Sequence, residues 1–179
     1  MLAITGGRVT TITAGEIDGG TVLIDGGKIV AVGQNIAVPA DAETVDATGK
    51  YVMPGLIDAH THVGIAEEAQ GWAGNDTNEM TDPVTPHLRA IDAVNPEDRG
   101  FEDALGGGVT SVLVAPGSAN VFGGETVLLK CYGRTVDEMV VRQPAGLKAA
   151  LGENPKRVYG DQKKIPTDHH YLATRAGSR

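Results

Sequence analysis

Two histidines, His60 and His62, stand one residue apart at the end of an apolar run, in the stretch YVMPGLIDAHTHVG that spans residues 51–64. Side chains alternate across a strand, so both imidazoles project from one face. Two imidazoles at that spacing can hold one metal ion through their ring nitrogens. Neutral imidazole suits zinc, iron, nickel or copper better than magnesium or calcium. Asp58 has the same parity and can add a ligand or orient a ring through a hydrogen bond. Such pairs also arise by chance in strands that bind nothing, so the surroundings carry the reading. The pair comes after a Pro54-Gly55 turn and the apolar Leu56 and Ile57, and it gives way to Gly64. Catalytic groups of parallel α/β barrels collect at such strand ends.

PGLIDAHTHV resembles the first barrel strand of the amidohydrolase superfamily of metal-dependent hydrolases. TNEMTDPVTPHLRAID, GGGVTSVLVAPGSAN and PAGLKAALGENPKR are similar, more narrowly, to its imidazolonepropionase-like branch. The likeness runs from residue 1 to about residue 166. It implies an α/β fold: a β-sandwich segment over residues 1–53, then the first part of a TIM-like (β/α)8 barrel over residues 54–179, apparently truncated. A complete barrel of this kind takes ~250 residues, about twice the length of the chain after Pro54. The resemblance also implies hydrolysis of a C–N bond in a cyclic amide, lactam or related small molecule. The cofactor would be a divalent metal ion, zinc first and iron or nickel as alternatives, held by His60 and His62. In the family the remaining histidine ligands and the carboxylate general base lie on later strands, which are expected to fall outside these residues. Two other readings stay open: a metal-binding fragment without activity, and a structural or interaction domain. Self-association or a complementary C-terminal half is expected in each case.

Other residues have two readings each. Trp72, the single tryptophan, lies in the acidic loop of residues 64–86 and can pack over a substrate or anchor the loop. Asn120 closes the loop Pro116–Asn120 at a strand end, where substrate contacts gather. Glu153, in the family-like Gly152-Glu153-Asn154-Pro155, can be a metal ligand, a substrate contact or a helix cap. Lys130 ends an apolar run and is either carbamylated to bridge metals, as in some amidohydrolases, or directed to solvent. Asp76, Glu79 and Asp82 read as solvated loop carboxylates before ligands, and His87 as structural. Cys131 has no histidine near it in sequence to activate it. Gly123-Gly124 can offer backbone N–H groups to an anion.

The elements that must position these groups can be read from local pattern. Residues 1–53 hold short β-prone runs, with a hairpin signal at Asp25-Gly26-Gly27. Asn95-Pro96-Glu97-Asp98 predicts a helix start with Asn95 as its cap, running to Leu105 and stopped by Gly106–Gly108. Val109–Ala115 and Thr126–Cys131 read as strands buried on both faces of a parallel sheet. Residues 136–142 and 145–151 mix helix and strand signals. The final stretch, from Thr167, departs from the family, and its adjacent His169 and His170 make a poor chelate.

A formal net charge of −8 without a basic stripe argues against nucleic acid. No apolar run nears the ~20 residues of a membrane span, and no signal pattern opens the chain. One cysteine allows no internal disulfide. A cytoplasmic location is the expectation.

Overall fold

A computed structural model describes residues 1–160 and residue 162. The chain divides into two units, Met1–Pro54 and Gly55–Arg179. No helix among the described residues is long and apolar enough to cross a membrane.

The first unit is one sheet of β1 (Leu2–Thr10), β2 (Glu16–Asp25), β3 (Lys28–Gly33), β4 (Glu43–Asp46) and β5 (Tyr51–Val52). The strand order is β3-β2-β1-β4, with β5 also on β1. β1, β2 and β3 are antiparallel neighbours, and β4 and β5 run parallel to β1. The β2–β3 hairpin closes at Gly26 and Gly27, with φ of 54° and 75°. Two successive positive φ values make the type I′ turn that matches strand twist, and glycine takes it without a steric penalty. Ala3, Val9, Val22 and Leu23 are buried in this unit, whereas Ile29 and Val30 are exposed. A sandwich needs two packed sheets; the described residues of this unit form one.

The second unit carries the histidines. Its sheet orders β6 (Leu56–Thr61), β7 (Val109–Val114), β8 (Phe122–Lys130) and β9 (Val140–Ala149) side by side. β6 and β7 are parallel, joined through helix α1 (Arg99–Gly106), as strand, helix and strand predict. β8 and β9 each run antiparallel to their predecessor, which corrects the all-parallel expectation. The physical reason is loop length. The short connection between Val114 and Phe122 cannot make a parallel crossover, which needs a dozen or more residues.

The hydrophobic core lies on one face of this sheet. Val112 and Val114 pair with Leu129 and Val127, and all four pack with Ile65, Phe101 and Met139. Helix α1 begins three residues later than the Asn95 reading: Asp98 is its cap and accepts from the Gly100 N–H. The mixed signals of residues 136–151 resolve into a short helix α2 (Val136–Met139), strand β9, and then helix α3 (Glu153–Tyr159). Pro144 sits on β9, an edge strand, where a missing N–H is tolerated. Thr167 and everything after it, His169 and His170 included, lie outside the described residues.

Candidate metal site at the end of the histidine strand

His60 and His62 meet as the parity of the strand predicts, their ring centroids 5.5 Å apart and the planes at 81°. His62 is half-buried. Its Nδ1 lies 2.7 Å from the carbonyl oxygen of Ala115. A carbonyl only accepts, so Nδ1 carries the proton and Nε2 keeps its lone pair for a metal. Ala115 is itself fixed, since its N–H donates to the Thr61 carbonyl at 3.0 Å. The C-terminal end of β7 thus sets the tautomer of a side chain just past β6.

Asp58 does not reach either ring. Its Oδ1 accepts from the backbone N–H of His60 at 3.0 Å, where the pairing of β6 with β7 shifts register. His60 is exposed, and its Nε2 lies 3.2 Å from the Nζ of Lys148, near the end of β9. Lys148 pairs with Gly124, and beside that residue the lack of a side chain at Gly123 leaves room for the lysine stem. A Cβ on Gly123 would come within 3.4 Å of Lys148 Cγ. Burial pulls the Lys148 ammonium below the usual lysine range. His60, Lys148, Ser118 and Glu153 line one open hollow of about 500 Å³.

These residues fit a transition metal in part. Two imidazoles, one with its tautomer set, are borderline donors of the kind zinc, iron and nickel take. Among the described residues no three His, Cys, Asp or Glu side chains gather closely enough to complete a site. Glu153 stands on the rim of the hollow, at the start of α3, with Lys156 at 3.6 Å. It shares the hollow with His60 but does not join both histidines as a third ligand.

Lys130 is at the wrong end for a special role. It pairs with Ser111, which in turn lies beside Ile57 at the entry of β6, far along the strand from the histidines. The lysine that meets a histidine is Lys148, which sequence reasoning missed. Its signal is that AGLKAAL continues a strand rather than forming a helix, and strand direction then decides which lysine reaches the site.

Asn120, read from the sequence as a substrate contact, is engaged within the protein. It is buried, its Nδ2 donates to Thr85 Oγ1 at 2.7 Å, and its Oδ1 accepts from the Tyr159 hydroxyl at 2.5 Å. The same hydroxyl reaches the Asp82 carbonyl at 3.0 Å. Asn120 and Tyr159 therefore lash the long loop to the sheet and to α3. Tyr159→Phe leaves these buried acceptors short of a donor and is expected to cost about 1–3 kcal/mol of stability, measured by denaturant unfolding. Burial pushes the Tyr159 hydroxyl above the usual tyrosine range, and the charges of Asp82 and Glu79 push the same way. Its contribution is complete below pH ~10 and fades as pH climbs through the raised folded value.

Trp72 is 93% exposed, in a short 3-10 turn (Gly71–Gly74), and lines none of the hollows described. Glu79 and Asp82 accept from the N–H groups of Thr81 and Val84, each closing a local turn. Asp76 borders a different hollow, with Arg89 and Asp92, and His87 is exposed in the loop. Gly123 and Gly124 belong to β8 rather than to an anion cradle. A Cβ at Gly124 would fall 2.5 Å from the Leu88 carbonyl oxygen, so glycine there admits the loop. Cys131 is buried in the core, and burial raises its thiol further from reactivity.

The sequence pattern described as the amidohydrolase family matches residues 43–112, which include both histidines. This chain carries an amidohydrolase-family segment. The amidohydrolase tasK of Hapsidospora irregularis is 39% identical over 162 residues, covering 82% of this chain and 16% of that one. An imidazolonepropionase from Vibrio cholerae serotype O1 is 42% identical over 60 residues, or 34% of this chain and 13% of the other. A solved amidohydrolase from Thermotoga maritima MSB8 superposes with a TM-score of 0.89 at 49% identity. It covers 94% of this chain, and this chain covers 43% of it. The chain thus spans less than half the length of these relatives.

Proposed function

We propose that this chain supplies the metal-binding strand end of an amidohydrolase that opens a C–N bond in a cyclic amide, lactam or related small molecule. One observation carries the reading: His60 and His62 converge at the end of β6, and the Ala115 carbonyl presets His62 with Nε2 free. His60 and His62 would hold the ion, with zinc the first choice and iron or nickel next, and Lys148 would give up the His60 Nε2 to it. When bound, such an ion supplies Lewis acidity, making water more acidic and polarising a carbonyl. His62 keeps its donor atom aimed without rotating. Lys148, half-buried, keeps a nitrogen against His60, and Glu153 puts the hollow's carboxylate where a substrate would enter.

In this proposal β6 and β7 are the opening strands of a (β/α)8 barrel, and the general base comes from strands beyond those described. A second reading, a metal-binding piece without turnover, is favoured by the absence of a third His, Cys, Asp or Glu ligand among the described residues. Ring opening of five- and six-membered lactams separates the two. The zinc-loaded chain is assayed alone and mixed with a polypeptide carrying the remaining strands. Chelator-sensitive turnover only in the mixture is the expected result. Turnover by the chain alone would give it a complete site, and none in either would remove the hydrolase reading.

A further inference from the structure

We infer that Asp98 is a positioning residue for His62. The inference rests on the reading of His62 as a metal ligand, but its test is made so that the two can fail separately. Asp98 is 4% exposed and has none of the four ion pairs of the described residues. A buried carboxylate persists only where hydrogen bonds replace its water. Here three backbone N–H groups do so. Oδ2 accepts from Gly64 at 2.8 Å, and Oδ1 accepts from Glu68 at 2.8 Å and from Gly100 at 3.1 Å.

Only the Gly100 bond is a helix cap. The other two seize the turn that leaves His62. In that turn Ile65 and Ala66 donate to the His62 carbonyl at 3.0 and 2.8 Å, and Asn95 donates to the Gly64 carbonyl at 2.8 Å. Gly64 has φ of +80°, and a Cβ there would sit 3.0 Å from Phe101 and Val94. Val63 is pressed so close to α1 that a Cβ on Gly100 would lie 2.7 Å from its Cγ2. The chain on the C-terminal side of His62 is therefore pinned to α1 through one carboxylate. On the other side the ring is held by Ala115. Release of the turn lets the His62 backbone drift and weakens the 2.7 Å bond that sets the tautomer.

The metal-free chain of 179 residues is read first. Imidazole nitrogen-15 shifts report which ring nitrogen of His62 bears the proton. The wild type is expected to show the Nδ1–H form, and Asp98→Ala a mixture of forms. Asp98→Ser is the decisive variant, since serine is a strong N-cap and keeps the Gly100 N–H bonded and α1 formed. Its single oxygen cannot also hold Gly64 and Glu68, so the mixture is expected there too. Met139→Ala, in the core on α2, loosens the fold while leaving every hydrogen bond of the turn in place, and is expected to keep the wild-type tautomer. In parallel titrations zinc affinity should fall ~10–100-fold in Asp98→Ser and stay unchanged in Met139→Ala. A wild-type tautomer in Asp98→Ser would overturn the proposal and leave Asp98 a helix cap. If the wild type binds no zinc while Asp98→Ser still mixes its tautomers, the metal reading fails and the positioning of His62 stands.

Discussion

Joint replacement of His60 and His62 by alanine is expected to reduce the zinc that co-purifies with the chain to background. Among the described residues the two rings are the only imidazoles that meet, and no cluster of carboxylates or thiolates competes there for the ion. Loss of an outer-shell partner typically costs ~10–100-fold in metal affinity, and loss of both ligands should exceed that. The single variants should differ. His62→Ala removes the ring whose tautomer is preset, whereas His60→Ala removes an exposed ring that also touches Lys148. His62→Ala is therefore expected to be the more damaging of the two. Elemental analysis and zinc titration check both statements. Stoichiometric zinc in the double variant would move the site elsewhere.

The 179-residue chain is also expected to self-associate. β6 and β9 are the two edges of the second unit's sheet, and each presents a row of backbone groups with no strand beside it among the described residues. On β6, Leu56 and Ile57 are 49% and 67% exposed; on β9, Val141 and Leu147 are 49% and 50% exposed. Open edges with apolar side chains pair with other chains, and soluble monomers rarely leave apolar patches larger than a few hundred Å². Size-exclusion chromatography with light scattering reads the outcome. Ile57→Lys places a charge on the edge and should shift the population towards monomer. A sharp wild-type monomer peak near 18.5 kDa with cooperative unfolding would show that these edges are harmless.

The meeting of His60 and His62 was legible in the sequence, because parity alone put two imidazoles on one face of a strand. The Asp25-Gly26-Gly27 hairpin was equally readable, since few residues accept two positive φ values in a row. The strand–helix–strand path from β6 to β7 was readable from the caps and the glycines after α1. The features that escaped depended on direction and register. A run such as TVLLKC looks the same whether its strand runs up or down, and reversing β8 carries Lys130 to the far end of the sheet. The length of the Ala115–Val121 connection was the cue that decided this. Asn95 and Asp98 are both good caps by type, and only the three-dimensional claim of Gly64 and Glu68 on Asp98 separates them. Asn120 sits where substrate contacts gather, but no local pattern shows that a tyrosine on α3 returns to occupy it.

The direction of β8 also bears on how the second unit assembles. β7, β8 and β9 are consecutive antiparallel neighbours, so their pairing closes short loops at small entropic cost. β6 joins them only across the long stretch between Thr61 and Val109. Local contacts form fast and distant ones slowly. The meander, with Val112, Val114, Val127 and Leu129 in its core, is therefore expected to pair first and the histidine strand last, an order that hydrogen-exchange labelling during refolding reads directly. A metal ion that binds only after β6 has docked would act as a latch on this final step, stabilising the finished sheet by mass action, the more so the higher its free concentration.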